Sequence, residues 1–200
     1  MKPEALIFDI GNVLVTFDYS RAADALSALG ADLSDRVAME QLAARYERGE
    51  FGRAEFLAEL RVILRHTADD SAVARAWQEI FEPNLPMWEL VEKLHEAYPL
   101  YLLSNINCLH HDYLLREYAI FEKFADGIFS YRAKLAKPDR EIFEVAIRQF
   151  GVHPQSTIYL DDLAANVEAA RGAGLRAFRY DPGAHGDLLS TLRAEGVQCV

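Results

Sequence analysis

Residues 5–14 read Ala5-Leu6-Ile7-Phe8-Asp9-Ile10-Gly11-Asn12-Val13-Leu14, a short apolar run that ends in an acidic turn. A run of this length followed by turn residues is typical of a buried β-strand. In a parallel sheet such a strand ends at the carboxyl edge, where α/β proteins bind their ligands. Asp9 is therefore a candidate nucleophile. Because aspartate and glycine are also common in ordinary turns, the assignment needs support from the rest of the chain.

Length and charge limit the classes of protein that this chain can be. The 200 residues suffice for one domain with a sizeable core and a smaller subdomain. A formal net charge of -10 argues against a nucleic-acid partner, because such binding depends on clustered Lys and Arg. No apolar run approaches the roughly 20 residues of a bilayer helix, and residues 1–4 lack the apolar stretch of a signal peptide. We therefore expect a cytoplasmic protein with no membrane partner, and the oligomeric state is open.

The carboxyl-terminal half alternates between strand and helix patterns. Together with the first run, short apolar runs predict strands at residues 5–8, 100–103, 127–129, 157–160 and 176–180. Helical patterns lie between them at residues 108–118, 139–150 and 164–173. This alternation predicts an α/β fold with a three-layer, Rossmann-like parallel sheet and right-handed crossovers.

A long helical segment interrupts this alternation directly after the first strand. Residues 17–92 contain no convincing strand and show helical periodicity at residues 21–29, 35–48, 53–65 and 71–81. We interpret this segment as a small α-helical cap that covers the carboxyl end of the first strand. The predicted division is an α/β core of residues 1–16 and 93–200 and a cap of residues 17–92.

Polar residues follow the ends of several predicted strands. Asp9 follows the first, Ser104-Asn105 ends or follows the second, Lys137-Pro138 lies beyond the third, and Asp161-Asp162 follows the fourth. Each group has a local alternative as a helix cap or a solvated loop residue. Because a parallel sheet collects all four groups at one edge, a shared site is the better interpretation.

These residue types suit the chemistry of phosphate esters. Asp9, Asp161 and Asp162 would repel one another and a phosphorylated ligand. Mg²⁺ counters this repulsion, since it prefers oxygen ligands and commonly combines one or two carboxylates with a substrate phosphate. Lys137 can neutralise the phosphate, and the Ser104 hydroxyl can bind its oxygens. The sequence therefore favours a Mg²⁺ site and a small phosphorylated substrate.

The order of these groups resembles the four motifs of the haloacid dehalogenase-like (HAD) hydrolase superfamily. The stretches concerned are Asp9-Ile10-Gly11-Asn12-Val13-Leu14, Leu102-Leu103-Ser104-Asn105, Lys137-Pro138 and Tyr159-Leu160-Asp161-Asp162-Leu163-Ala164-Ala165-Asn166. The helical insertion is placed as in members with a small α-helical cap. With the cap segment Glu47-Arg48-Gly49-Glu50, these motifs look most similar to sugar-phosphate phosphatases such as α-glucose-1-phosphate phosphatase.

The resemblance implies a phosphatase that works through an aspartyl-phosphate. Asp9 would be the nucleophile, and splitting one difficult step into two lowers the barrier. The metal would be held by the Asp9 carboxylate, the Gly11 carbonyl and Asp162, with Asp161 binding directly or through a water.

The remaining roles concern phosphate and substrate. The resemblance implies that Ser104 binds phosphate and that Lys137 holds Asp9 and the phosphate together. Asn105 has two open interpretations, a substrate contact or a structural role in its turn. In the cap, the charged turn suggests that Arg45 or Arg48 contacts a phosphate and that Glu47 contacts sugar hydroxyls, with a solvated surface as the alternative.

Position 11 departs from the family pattern. Most phosphatases of this superfamily carry an acid–base aspartate two residues after the nucleophile, and here that residue is Gly11. A glycine allows positive φ and a close approach of the backbone to a ligand. Asp18, His110 and His111 are possible substitutes for the missing acid, although a cap or packing role is favoured for each.

Other functions stay open on the same residues. A dehalogenase would use the same aspartate against carbon, but it would not need the second carboxylate. A phosphomutase would need the acid–base aspartate that is missing. Because that aspartate is missing, a catalytically weak protein that binds a phosphorylated ligand is the alternative from outside the enzymes.

Overall fold

A five-stranded parallel sheet forms the centre of the computed structural model, which describes residues 2–200. Its strands are β1 (Ala5–Phe8), β4 (Leu100–Ser104), β5 (Asp126–Phe129), β6 (Thr157–Asp161) and β7 (Arg176–Arg179), in the order β5-β4-β1-β6-β7. Each bound lies within one residue of its prediction. Strand β1 is central, so the residue that follows it has neighbouring strands on both sides.

The register of the sheet brings the predicted site residues to the same level. Phe8 pairs with Leu102 on one side and with Leu160 on the other. The next amide continues the ladder, because Asp9 N donates to the Leu160 carbonyl at 2.9 Å. Asp9 and Asp161 therefore lie side by side at the carboxyl edge.

Alternation along the strands divides the core into two layers. Leu6 and Phe8 face one cluster and Ile7 faces the other, as a period of two requires. The first face carries α5 (Leu85–Leu94), α6 (Cys108–Glu117) and α10 (His185–Ala194), and the second carries α8 (Arg140–Phe150) and α9 (Ala164–Gly172). The prediction of a three-layer α/β core is confirmed.

The helical insertion has a core of its own. It consists of α1 (Tyr19–Ala28), α2 (Arg36–Glu47), α3 (Arg53–Leu64) and α4 (Asp70–Gln78), which bury a separate cluster that includes Leu26, Leu60 and Trp77. Three of the helices begin at an aspartate whose side chain accepts a backbone N–H, namely Asp18, Asp35 and Asp69. These caps explain why the helices start where they do.

A short hairpin at the base of the insertion was not predicted. Strand β2 (Val15–Phe17) pairs antiparallel with β3 (Phe81–Pro83), so the chain enters and leaves the insertion at the same place. Three residues per strand carry too little alternation to be recognised, and Pro83 argues against a strand. The pairing is nevertheless possible because Pro83 lies at the end of its strand.

Helix α5 falls inside the predicted cap but packs elsewhere. Met87, Leu90, Val91 and Leu94 belong to the cluster on the sheet. We therefore propose that the cap ends before residue 84 instead of at residue 92; residue 1 of the predicted core lies outside the described residues.

Further helical segments also went unpredicted. They are α10, the short α7 (Ser130–Ala133) and 3-10 turns at Ala119–Lys123, Pro154–Ser156 and Pro182–Ala184. Among residues 2–200, no helix has both the length and the apolar character needed to cross a membrane.

Candidate active site

Asp9 lies at the carboxyl end of β1, and one of its carboxylate oxygens contacts protein donors while the other is free. Oδ1 accepts the Ile10 N–H at 2.7 Å and lies 2.8 Å from Lys137 Nζ. Within residues 2–200, Oδ2 accepts no hydrogen bond. Burial raises the pKa of Asp9 to about 6, against the opposing effect of Lys137. The free oxygen is the one available to react.

Lys137 joins two buried carboxylates. Its Nζ lies 2.8 Å from Asp9 Oδ1 and 2.7 Å from Asp161 Oδ2, and its side chain is only 1% exposed. Asn105 fixes the Lys137 backbone from both sides, because its Oδ1 accepts Lys137 N–H and its Nδ2 donates to the Lys137 carbonyl, each at 2.8 Å. Of the two interpretations of Asn105, the structure supports the structural one.

Asp161 is saturated with protein donors. Oδ1 accepts the Leu163 N–H at 2.9 Å, and Asn166 Nδ2 lies 2.9 and 3.1 Å from the two oxygens. Oδ2 also accepts from Lys137 and from the Tyr159 hydroxyl. A carboxylate offers about four acceptor positions, so little capacity is left for another ligand. Asp161 therefore positions Lys137, and its part in metal binding stays a prediction.

Asp162 is the second available carboxylate. Asp9, Asp161 and Asp162 each offer an oxygen, all within 4.8 Å of one another. Asn12 Nδ2 donates to Asp162 Oδ2 at 3.0 Å, and no described residue donates to Oδ1. The Gly11 carbonyl likewise accepts no hydrogen bond from the described residues. Free oxygens on Asp9, Asp162 and Gly11 are the hard donors that suit Mg²⁺.

The expected positive φ occurs one residue later than Gly11. Asn12 has φ 53°, whereas Gly11 is not among the left-handed residues. Asparagine tolerates this conformation better than most residues. Gly11 is limited instead by space, because a β-carbon there would lie 3.1 Å from Phe17 Cε1.

A cavity of about 300 Å³ contains these groups. Asp9, Ser104, Lys137 and Asp162 line its core side, and Tyr19 and Glu47 are among the cap residues that line it. The Ser104 hydroxyl makes no hydrogen bond to another described residue, so it is available to a bound phosphate.

Arg48 is not part of the cavity. Helix α2 ends at Glu47, and Arg48, at the helix carboxyl cap, is exposed outside the lining. Its contact with a phosphate stays a prediction that this placement does not support. The change of direction at the helix end separates neighbouring side chains.

The cap turn, residues 47–49, is held on the core. Ser130 Oγ donates to the Glu47 carbonyl at 2.6 Å and accepts the Ile106 N–H at 3.0 Å. Gly49 has φ +67°, and a β-carbon there would lie 2.0 Å from the Tyr131 carbonyl oxygen. The turn is therefore linked through Ser130 to the loop after Ser104.

The other possible acids have structural roles. His110 Nε2 lies 3.0 Å from the Trp77 carbonyl and Nδ1 lies 3.1 Å from Asn107 Nδ2, and burial lowers the pKa of His110 to about 4. Asp18 caps α1 by accepting the Ser20 N–H at 2.8 Å. His111 lies outside the cavity lining.

No role was predicted from the sequence for several residues of the site. Tyr159 and Asp161 are two apart on β6 and so share a face, which is a signal that alternation provides. Asn166 stands in the first turn of α9, and Ser130 follows the end of β5 at the same sheet edge. Asn12 becomes recognisable only from its contact with Asp162.

A second, larger cavity lies in the cap. It has a volume of about 610 Å³, and its walls include Leu26, Leu33 and Met39. Tyr19 and Glu47 border both cavities. Apolar space therefore adjoins the polar site across these two side chains.

The Rossmann-like core and the carboxylate–lysine site are those of a known family of hydrolases. The chain belongs to the haloacid dehalogenase-like hydrolases, whose family model matches residues 3–174. It is 27% identical over 190 residues to D-ribitol-5-phosphate phosphatase of Bacteroides thetaiotaomicron, covering 90% of this chain and 92% of the relative. A sesquiterpene phosphatase of Aspergillus oryzae is 27% identical over 175 residues, covering 86% and 87%.

Solved structures agree with this assignment. A HAD-family enzyme of Bacteroides thetaiotaomicron in complex with magnesium and inorganic phosphate superposes with a TM-score of 0.83 at 26% identity, covering 90% of this chain and 96% of that one. The prediction of a HAD-like phosphatase is confirmed at the level of enzyme class. The finer resemblance to α-glucose-1-phosphate phosphatase stays a prediction.

Replacing Gly49 with alanine is expected to disturb the cap turn and lower turnover. A positive φ alone costs alanine about 1–2 kcal/mol, and overlap with the Tyr131 carbonyl adds about 1–3 kcal/mol of unfolding free energy. Gly30→Ala is the matched control, since Gly30 has φ +82° and nothing within 4 Å of a β-carbon. Urea unfolding and phosphatase assays compare the two variants. Equal losses in both would show that the contact with Tyr131 does not matter.

Proposed function

We propose that this protein is a Mg²⁺-dependent phosphatase that hydrolyses a small phosphorylated metabolite through a phosphoryl group on Asp9. One observation carries the proposal. Asp9 keeps a free carboxylate oxygen in a cavity where Lys137 neutralises its other oxygen, and where the Ser104 hydroxyl and one oxygen of Asp162 make no hydrogen bond to a described residue. A nucleophile, a cation and phosphate-binding groups thus line one small space.

The reaction has two balanced steps. In the first, one carboxylate oxygen of Asp9 forms a bond to phosphorus while the bond from phosphorus to the ester oxygen breaks, and the ester oxygen takes a proton from an acid in the cavity and leaves as the alcohol. In the second, a water oxygen attacks phosphorus, the bond to Asp9 breaks, and inorganic phosphate leaves. Lys137 lies beside Asp9 Oδ1 and offsets negative charge through both steps.

A divalent cation fits the oxygens that the protein leaves free. Asp9, Asp162 and the Gly11 carbonyl would hold it, and Asp161 would act on Lys137. A bound Mg²⁺ would supply positive charge that offsets the carboxylates and the substrate phosphate.

The small cavity and the groups Asp9, Ser104 and Lys137 in its lining favour a sugar or polyol phosphate. A volume of about 300 Å³ suits a short phosphorylated metabolite, and the relative from Bacteroides thetaiotaomicron is a D-ribitol-5-phosphate phosphatase. The apolar cap cavity supports a second candidate, a phosphate ester with an apolar tail, and one relative is named a sesquiterpene phosphatase. A cytoplasmic location and the lack of nucleic-acid and membrane partners stay predictions.

A substrate panel tests the proposal. Polyol, sugar, prenyl and aryl phosphates are assayed with Mg²⁺ or EDTA, together with a 2-haloacid. We expect turnover of phosphate esters that EDTA abolishes. Halide release without metal would support the dehalogenase alternative, whereas phosphate binding without turnover would support a binding protein.

The two adjacent aspartates are expected to respond differently to substitution. Asp162→Asn weakens a proposed metal ligand, so the Mg²⁺ concentration for half-maximal activity rises about tenfold or more. Asp161→Asn disturbs Lys137 instead, so kcat falls and the Mg²⁺ requirement changes little. Mg²⁺ titrations of turnover measure both. If Asp161→Asn produced the larger rise in the Mg²⁺ requirement, the assignment would be reversed.

A further inference from the structure

Because position 11 is a glycine and not an aspartate, the alcohol that departs in the first step has no evident proton donor. An ester oxygen of a sugar or polyol is a poor leaving group, and general acid help is worth roughly 10²- to 10⁴-fold. The titratable side chains lining the cavity within residues 2–200 are Asp9, Tyr19, Glu47, His110, Lys137 and Asp162.

Most of these groups are committed elsewhere. Asp9 is the proposed nucleophile, Asp162 the proposed metal ligand, and Lys137 is paired with Asp9 and Asp161. Both ring nitrogens of His110 are hydrogen-bonded. This leaves the two cap side chains, Tyr19 and Glu47.

Glu47 is the better donor of the two. Within the described chain its carboxylate has no hydrogen bond and no ion pair, and desolvation raises its pKa to about 7. Burial and the nearby Glu47 charge raise the pKa of Tyr19 to about 12, too high for a proton to be released easily near neutrality. A carboxyl group with a pKa near neutrality can both donate and accept a proton.

The charged surroundings do not neutralise Glu47. The core side of the 300 Å³ cavity carries Asp9, Lys137 and Asp162. The larger cap cavity is lined by Arg36 and Glu40. The nearest arginine candidates in sequence are engaged or turned away: Arg45 pairs with Glu50 and Glu59, and Arg48 is exposed.

The cap turn also gives Glu47 a fixed place. Its carbonyl accepts from Ser130 Oγ at 2.6 Å, and Ser130 also binds Ile106 of the loop after Ser104. The Gly49 backbone lies so close to Tyr131 that a side chain would not fit. Backbone contacts to the core therefore fix the main chain of Glu47 at the wall of the cavity that Asp9 also lines, and a catalytic group needs such positioning.

We propose that Glu47 is the acid–base residue of this enzyme, in place of the aspartate that position 11 lacks. It gives its proton to the ester oxygen as the bond to phosphorus breaks, so that a neutral alcohol leaves. The resulting carboxylate then takes a proton from the water that attacks the Asp9 phosphoryl group, which restores Glu47 for the next cycle. This inference rests on the proposed phosphatase function.

Glu47→Gln tests the inference with two kinds of leaving group. An alkyl phosphate such as D-ribitol 5-phosphate needs the proton, whereas p-nitrophenyl phosphate does not. We expect kcat/KM for the alkyl ester to fall roughly 10²-fold or more. We expect kcat/KM for the aryl ester to fall far less, because breaking its ester bond does not need the proton. Rapid-quench measurements with the aryl ester should show a phosphoryl-enzyme that accumulates because its hydrolysis lacks a base.

Glu50→Gln is the matched control. Glu50 lies three residues further along, is exposed and pairs with Arg45, so its loss should leave both activities within about twofold. Equal losses on both esters in Glu47→Gln, or a change in KM alone, would mean that Glu47 only binds substrate and would overturn the inference.

The wild-type pH profile provides an independent test that does not depend on how the variant folds. Glu47 donates only while protonated, so kcat/KM for the alkyl ester should fall as pH rises through about 7, while the aryl ester lacks this limb. The same profile for both esters would overturn the inference. Lack of turnover of any ester would instead contradict the proposed phosphatase function.

Discussion

Replacing Asp9 with asparagine is expected to abolish turnover while the protein stays folded. The amide cannot form the acyl phosphate, and removing a nucleophile costs roughly 10⁴-fold or more in kcat. Because burial raises the pKa of Asp9 to about 6, its ionised form lowers the stability of the folded wild type. The variant removes that cost and is expected to be as stable as wild type, or more stable, at pH 7.

The pH dependence of this gain has a definite sign. The folded protein holds the Asp9 proton up to about pH 6, whereas the unfolded chain releases it near the ordinary aspartate pKa of 3.8. The cost is therefore fully present above pH 6 and disappears as pH falls toward 4. Urea unfolding at several pH values, combined with phosphatase assays, measures both effects. Turnover that survives in Asp9→Asn would contradict the role of Asp9.

Lys137→Met is expected to cause the largest combined loss of stability and activity. It leaves two adjacent buried carboxylates, Asp9 and Asp161, without their cation. Breaking a buried ion pair in this way costs about 3–5 kcal/mol of unfolding free energy. Loss of a positive charge beside the phosphate lowers kcat roughly 10²- to 10³-fold.

The variant should regain stability in acid. Lys137 lowers the pKa of Asp9, so without Lys137 this pKa rises further and the folded state binds a proton that the unfolded chain has lost. Lowering pH from 7 to 5 should therefore narrow its difference from wild type. Lys93→Met, at an exposed position on α5, is the control and should change little. A loss in Lys137→Met that is the same at both pH values would contradict the electrostatic explanation.

The core of this fold could be predicted because its signals are local and repeated. Apolar runs such as Ala5–Phe8 and Thr157–Asp161 mark strands, and Gly151 after α8 marks a helix end. Since every strand of the core sheet is parallel, residues at the strand ends had to meet at one edge. That geometric necessity placed Asp9 beside Asp161 without knowledge of the register.

What the sequence could not provide depends on side-chain direction and on long-range contacts. Asp161 and Asp162 are equivalent as letters, yet the first accepts five donor contacts from protein and the second keeps an oxygen free. Glu47 and Arg48 are adjacent in the same charged turn, and only Glu47 lines the cavity. Their difference arises from the end of α2 and from Ser130, which lies 83 residues away from Glu47 in the chain.

In the proposed mechanism, the phosphoryl group of the substrate is transferred to Asp9. The most direct measurement is mass spectrometry of the wild-type protein, quenched in acid during turnover of p-nitrophenyl phosphate with Mg²⁺ and digested into peptides. We expect the peptide containing Asp9 to gain the mass of one phosphoryl group, and we expect Asp9→Asn to abolish this gain. A phosphoryl group on another residue under the same conditions would contradict it.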